Sequence, residues 1–231
     1  MQSIWQDVRG IIWAPIEFAR QQTEGEEHWM RPISIVVLTG SFHVVLFLSM
    51  QARLTEPIEH YLLQLQVAED LTRSFDDFSA IVSFLSIAGG ISIIPFWVVG
   101  AGVMTCWAVL FNGRENFRKV LIISGYAHLP LLIFAAVAIG IISAYPPSAE
   151  MPITTSTDIA QIVGDVQNYR DELLRAPPVR LVRILGYGAQ LWFLALLAVA
   201  ASVSQRMSYI KGAFAASFYG AMILMIRWIF E

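Results

Sequence analysis

Three side chains that could bind a metal ion lie in apolar stretches of the sequence, namely His43, Cys106 and His128. Histidine nitrogen and cysteine sulfur are favoured ligands of zinc. The three residues fall on three different predicted helices, however, and none has the local spacing of a zinc motif. The sequence therefore does not favour a metal site, and we expect His43 to cap a neighbouring carbonyl group instead.

The usual catalytic motifs are missing from the sequence. It has no His-Glu-x-x-His motif, no Gly-x-Ser-x-Gly elbow and no Walker loop, and no predicted span carries an aspartate that could serve a membrane aspartyl protease. With a net charge of −3 and no large basic cluster, a nucleic-acid partner is also not expected. We expect no catalytic residue, no cofactor and no enzymatic activity.

The composition is that of a membrane protein. Hydrophobic residues make up 56% of the sequence and charged residues 14%, and the mean hydropathy is +0.60. An ordinary soluble domain is less apolar and more charged. The sequence therefore predicts an all-α fold, a polytopic helical bundle within a membrane.

Apolar runs of the length needed to cross a bilayer predict five spans. They cover residues 32–50, part of 79–112, 120–144, 184–204 and 208–230. The second run carries no charge and is too long for one upright helix. It is either one tilted helix that is kinked and begins near Gly90, or a re-entrant hairpin, and the single helix leaves fewer backbone groups unpaired.

The third span follows a short basic turn that contains Arg114, Arg118 and Lys119. Short basic loops face the cytoplasm, so we predict an internal N-terminus and a turn that meets cytoplasmic partners or anionic lipid. Gly125 and Pro130 interrupt the span itself. A transmembrane helix tolerates such residues where neighbouring helices satisfy the freed backbone groups.

Amphipathic helices are predicted outside the spans. One covers residues 1–22, with Pro15 ending or kinking it, and either lies on the membrane or packs on the bundle. Two more lie in the external loops, within 55–78 and after a cap at 156–158. We therefore divide the chain into an interfacial helix and linker, 1–31, and a five-span membrane domain, 32–231.

Small residues mark two faces for close helix packing. Gly100 and Gly102 lie on the second span, and Gly212, Ala216 and Gly220 recur every four residues on the fifth. Small side chains let helix backbones approach each other in a membrane. We expect both faces to carry helix contacts.

A family resemblance rests on Phe117 after the basic turn, on Gly125, Tyr126 and Pro130 in the third span, and on Lys211-Gly-Ala at the start of the fifth. This pattern resembles the Yip family (Ypt-interacting protein domain) of five-span membrane proteins, over most of the sequence. The Asp-Leu-x-Gly-Pro motif of eukaryotic trafficking members is missing, so the likeness is closer to bacterial members. Those members have no known enzymatic activity, and some accompany ABC-type exporters.

The resemblance and the residues together predict a non-enzymatic scaffold or accessory subunit in a bacterial cytoplasmic membrane, beside an exporter or another assembly. Its expected partners are membrane lipids and other membrane proteins or further copies of itself. The alternative is a transporter, channel or lipid-translocating protein, in which the broken third helix lies beside a polar path.

Overall fold

A computed structural model describes residues 4–24, 29–65, 69–114, 116–145, 151 and 158–230, and the regular structure in these ranges is helical. The described part contains nine helices: α1 (Ile4–Trp13), α2 (Pro15–Glu24), α3 (Met30–Gln64), α4 (Glu69–Leu110), α5 (Phe117–Ala127), α6 (Leu129–Ala144), α7 (Ile159–Arg175), α8 (Pro177–Gln205) and α9 (Tyr209–Phe230). The predicted all-α class is confirmed.

Four stretches of helix within the described ranges are long and apolar enough to cross a membrane. They are Met30–Gln64, Arg73–Leu110, Phe117–Ala144 and Pro177–Gln205. These stretches match four of the predicted spans. The fifth, 208–230, coincides with the 22 residues of α9 and stays a prediction.

The structure corrects the boundaries of two predicted elements. Residues 55–78 do not form a helix of their own, because α3 continues to Gln64 and the next helix begins at Glu69. The re-entrant hairpin considered for 79–112 is wrong, since α4 runs unbroken past Gly90 and Pro95. A proline removes only one backbone donor, whereas a reversal would expose many unpaired groups to lipid.

Pro15 divides the N-terminal segment into two helices, as its missing amide hydrogen predicts. α1 ends at Trp13 and α2 begins at Pro15. Ile11 and Phe18 are buried in the same hydrophobic core as the long helices, so this segment packs on the bundle. Whether its other face lies on the membrane stays a prediction.

The chain folds into two compact units. Unit 1 comprises Met1–Gly40, Ile91–Ile133 and Tyr187–Glu231. Its core joins side chains from α1 to α5, α8 and α9, among them Val36, Met104, Phe193 and Tyr219. An ion pair between Asp7 and Arg31, with Oδ2 and Nη1 2.6 Å apart, ties α1 to the start of α3 within this unit.

Unit 2 comprises Ser41–Gly90 and Phe134–Gly186, and its core is formed by α3 and α7. Asp158 caps α7, since its carboxylate accepts a hydrogen bond from the amide of Ala160. This agrees with the predicted cap at its last residue, whereas residues 156 and 157 lie outside the described part of the chain. The hydroxyl group of Tyr61 donates to Asp165 at 2.7 Å, which ties α7 to α3.

Candidate functional site

The third span is broken at His128, between α5 and α6. Pro130 accounts for the break, because it has no amide hydrogen to donate to the carbonyl of Tyr126, four residues earlier. The amide of His128 turns back to the carbonyl of Gly125 at 3.2 Å, and its own carbonyl accepts from Leu132 at 3.0 Å. The span thus departs from α-helical bonding at one residue, near the Gly125 and Pro130 that interrupt its sequence, while the backbone of His128 stays in the helical region (φ −73°, ψ −8°).

The side chain of His128 is buried between Ser124, one turn earlier in α5, and Tyr219 of α9. Its Nδ1 lies 2.9 Å from the carbonyl oxygen of Ser124, and its Nε2 lies 3.5 Å from the hydroxyl oxygen of Tyr219. Trp97 donates from its indole nitrogen to the hydroxyl oxygen of Ser124 at 3.0 Å. Every residue from 120 to 130 is buried. The residues of the break are therefore buried within unit 1.

Gly125 and Tyr126 both contact residues of other helices. A Cβ atom at Gly125 would lie 2.6 Å from Cβ of Pro32 and 3.0 Å from the ring of Trp97, so only glycine fits between α3 and α4. The ring of Tyr126 meets the edge of Phe18, with centroids 5.1 Å apart. The family motif thus lies where three other helices meet α5.

The small-residue face of α9 packs inside unit 1. A Cβ atom at Gly212 would lie 2.7 Å from the carbonyl oxygen of Ala198, and a Cβ atom at Gly220 would lie 2.5 Å from the side chain of Leu194. Ala198 and Leu194 both belong to α8. Ala216, between them, is buried. This face therefore forms the contact between α8 and α9.

The two glycines of α4 differ in their surroundings. A Cβ atom at Gly100 would overlap the ring of Tyr219 on α9, whereas one at Gly102 would meet Phe117 only at 3.9 Å. The first is a close helix contact and the second is ordinary packing.

Two helix ends in unit 1 have the same geometry. At the end of α4, Asn112 has a φ of 57° and the amide of Gly113 donates to the carbonyl of Ala108 at 2.7 Å. At the end of α8, Arg206 has a φ of 54° and the amide of Met207 donates to the carbonyl of Ser202 at 2.9 Å. Both are Schellman motifs, in which a left-handed residue ends the helix.

These two ends are bonded to each other, and we call residues 111–114 with Asn116, together with 205–208, the paired turns. The amide of Arg114 donates to the carbonyl of Gln205 at 2.9 Å. The side chain of Gln205 accepts from the amide of Asn116 at 3.3 Å and donates to the hydroxyl of Thr105 at 3.3 Å. This glutamine is fully buried and holds the two turns together.

Arg206 occupies a position that glycine usually fills. A left-handed backbone brings Cβ of any other residue close to the following carbonyl oxygen and costs about 1–2 kcal/mol. Asparagine tolerates this conformation well, so Asn112 is an ordinary choice. Arginine tolerates it poorly, so backbone propensity alone would not place an arginine at position 206.

The basic residues of the predicted turn have separate roles. The side chain of Arg114 is exposed, as is that of Arg206. The guanidinium carbon of Arg118 lies 5.2 Å from the ring centroid of Trp29, and the ammonium group of Lys119 donates to the carbonyl of Thr23. Arg118 and Lys119 thus hold the start of α5 against Trp29, just before α3, and against Thr23 in the last turn of α2.

The candidate metal ligands are not gathered into a site. In the part of the chain that the structure describes, no group of three His, Cys, Asp or Glu side chains could hold a metal ion. Cys106 is exposed on α4. His43 lies on α3 in unit 2, with its ring centroid 6.2 Å from that of Phe134.

Long apolar helices around a sealed, hydrogen-bonded break define a helical integral membrane protein. The family described as the Yip1 domain matches residues 9–230, and the chain belongs to that family. This confirms the resemblance that Gly125, Tyr126 and Pro130 carry. Neither a search of curated proteins nor a search of solved structures found a match.

Proposed function

We propose that this protein is a non-enzymatic scaffold or accessory subunit of a membrane assembly, such as an ABC-type exporter. The observation that carries the proposal is the closed interior of unit 1. The polar groups of the helix break are paired with one another, and the small-residue face of α9 is used for packing within the unit. The surfaces that remain for function are outward-facing, as a scaffold requires.

The outer face of α4 is the best candidate for contact with another membrane protein. In its most apolar stretch of 18 residues only 6% are buried, against 39% in Phe117–Ala144 and in Pro177–Gln205. Gly89 lies on this helix, exposed, and a Cβ atom there would meet nothing within 4 Å. Glycine in a helix interior lowers stability by about 1 kcal/mol relative to alanine, so close approach of an external helix is a reason to have it.

Co-purification in mild detergent tests the proposal. The tagged protein, expressed at its native level, is recovered from its own membrane, and mass spectrometry identifies what accompanies it. We expect another membrane protein in stoichiometric amount, and less of it with Gly89→Leu. The matched control is Ala136→Leu on α6, because that position is also exposed on a spanning helix but is not a glycine. Recovery of the protein alone, or of its homo-oligomer, would contradict the scaffold proposal.

Transport or lipid translocation is the second candidate, and the break at His128 is the observation that favours it. Broken helices form substrate sites in many transporters. The test is flux of ions or fluorescent lipid in vesicles that contain only this protein. Under the transport alternative wild-type protein carries flux and His128→Ala abolishes it, whereas a scaffold gives no flux in either case.

The proposed location is the bacterial cytoplasmic membrane with the N-terminus inside. The bond between Arg114 and Gln205 supports this orientation, since it brings the basic residues of two loops to one end of unit 1. Labelling of single cysteines in intact cells tests it, in a Cys106→Ser background. We expect an impermeant maleimide to label Glu59→Cys and not Arg114→Cys, and the reverse pattern would refute the orientation.

A further inference from the structure

The paired turns bring the backbones of Arg114 and Arg206 close together. The amide of Arg114 bonds to the carbonyl of Gln205, the residue directly before Arg206. Both arginines are exposed, and neither forms an ion pair with another described residue. Neighbouring guanidinium groups repel each other unless an anion lies between them, and their planar forks bind phosphate oxygens in pairs.

The backbone of Arg206 gives a second and independent argument. Its left-handed conformation is unfavourable for arginine, and glycine at this position would form the same turn without strain. The guanidinium group makes no hydrogen bond to the residues that the structure describes, so local packing does not account for it. Strain that is retained at one residue indicates a function for its side chain.

The surroundings of the two arginines indicate what kind of anion binds. The ring of Trp107 on α4 lies 5.2 Å from that of Phe214 and 4.6 Å from that of Phe218, both on α9. Tryptophan side chains collect at the level of the lipid headgroups. Leu110 and Ile210, which flank the paired turns, are 69% and 84% exposed. The acyl chains of a lipid bound at the arginines would lie along this apolar surface.

We propose that the paired turns bind an anionic phospholipid, with its phosphate between Arg114 and Arg206 and its acyl chains against Leu110, Ile210 and the rings of Trp107 and Phe214. The site goes beyond the scaffold function and does not depend on it. Lys211 adds positive charge at the same level, because its ammonium group donates to the carbonyl of Phe111 at 3.1 Å, at the end of α4.

Native mass spectrometry of delipidated protein in a neutral maltoside detergent tests the site. The probes are phosphatidylglycerol, phosphatidylcholine with the same acyl chains, and inorganic phosphate. We expect phosphatidylglycerol to bind in preference to phosphatidylcholine. Arg206→Gly and Arg114→Gln should each lower its affinity roughly fivefold, the equivalent of one basic side chain at a membrane surface. Arg170→Gln, which removes an exposed arginine from α7, should leave the affinity unchanged.

Arg206→Gly is the sharper of the two variants, because glycine keeps the turn folded while removing the charge. Equal binding of the two lipids would overturn the proposal, and so would wild-type affinity in both variants. Displacement of phosphatidylglycerol by an equal concentration of inorganic phosphate would identify free phosphate as the ligand and would overturn a lipid site. The measurement uses purified protein without any partner protein. Its outcome is therefore independent of whether the scaffold proposal is right.

Discussion

The carbonyl oxygen of Gln205 accepts a hydrogen bond from the amide of Arg114 at 2.9 Å, and this bond joins the end of α8 to the loop that precedes α5. The side chain of the same glutamine bonds to Asn116 and to Thr105. One buried residue therefore fixes three segments of unit 1. Gln205 thereby fixes the backbone of Arg206, which follows it in the sequence, and of Arg114, whose amide donates to it.

Gln205→Ala should lower the stability of unit 1. The substitution removes the acceptor of the Asn116 amide and the amide group that donates to the Thr105 hydroxyl, which keeps its own bond to the carbonyl of Ala101. Each hydrogen bond contributes about 0.5–1.5 kcal/mol, so we expect a loss of roughly 1–3 kcal/mol. Thermal unfolding of the detergent-solubilised protein measures the change. The nearby variant Thr105→Ser keeps the hydroxyl that accepts from Gln205 and should have a smaller effect. An equal melting temperature for Gln205→Ala and wild type would contradict the role assigned to the glutamine.

Arg206→Gly should raise stability. Relief of the left-handed strain outweighs the entropy that glycine loses on folding, and we expect a gain of roughly 0.5–1 kcal/mol. The matched control is Arg114→Gly, because Arg114 does not have a positive φ and the same charge is removed. Arg114→Gly should leave the stability of the protein unchanged or lower it. Melting temperatures that move in the same direction for both variants would show that charge, and not backbone strain, is responsible.

The sequence predicted those features that one residue determines locally. Pro15 separates α1 from α2, and Pro130 breaks the third span, because each lacks the amide hydrogen that a continuous helix needs. Asp158 caps α7 for a similarly local reason, since its carboxylate accepts a hydrogen bond from the first turn. Such effects require no knowledge of the rest of the fold.

The paired turns could be predicted only in part. Asn112-Gly113 is a recognised turn signal, but nothing in the sequence indicates a left-handed conformation at Arg206. Gln205 lies in an apolar helix, and its partners are distant in the sequence. Contacts of this kind depend on how helices pack, which hydrophobic periodicity does not specify.

Gly212→Ala and Gly220→Ala should differ in effect, although both lie on the same face of α9. At Gly212 the new methyl group would meet the carbonyl oxygen of Ala198, which belongs to a helix backbone and cannot move alone. We expect a loss of about 1–3 kcal/mol. At Gly220 it would meet the end of Leu194, which can change rotamer, so the loss should be smaller. Thermal unfolding of both variants measures the difference, and equal losses would contradict it.

Gly125→Ala should destabilise the third span. The added Cβ atom would lie 2.6 Å from Cβ of Pro32, and overpacking of this kind costs about 1–3 kcal/mol. The control is Gly140→Ala on α6, where the new methyl group meets nothing within 4 Å. There alanine should stabilise the helix by up to about 1 kcal/mol. A stabilising effect at both glycines would mean that α5 does not approach α3 as closely as the structure has it.

Tyr169→Phe should weaken the packing of α7 in unit 2. Pro57 lies inside α3 and has no amide hydrogen for the carbonyl of Arg53, and the hydroxyl group of Tyr169 donates to that carbonyl at 2.9 Å. Without the hydroxyl, this carbonyl loses its side-chain donor, and we expect a loss of roughly 1 kcal/mol. The control is Tyr145→Phe, since that tyrosine also belongs to unit 2 and is exposed after the end of α6. Hydrogen exchange of the α7 amides would report the weakening directly.

The effect of Tyr169→Phe should also depend on pH. Burial raises the pKa of Tyr169 above its usual value of 10.0, so the folded protein favours the neutral hydroxyl. The stabilisation from this residue is therefore fully present below about pH 10. It is lost as the pH rises through the raised pKa, because the phenolate can no longer donate to Arg53. The difference in stability between wild type and Tyr169→Phe should stay constant from neutral pH to about pH 10 and then decrease. A difference that grows in alkaline solution would contradict the assigned hydrogen bond.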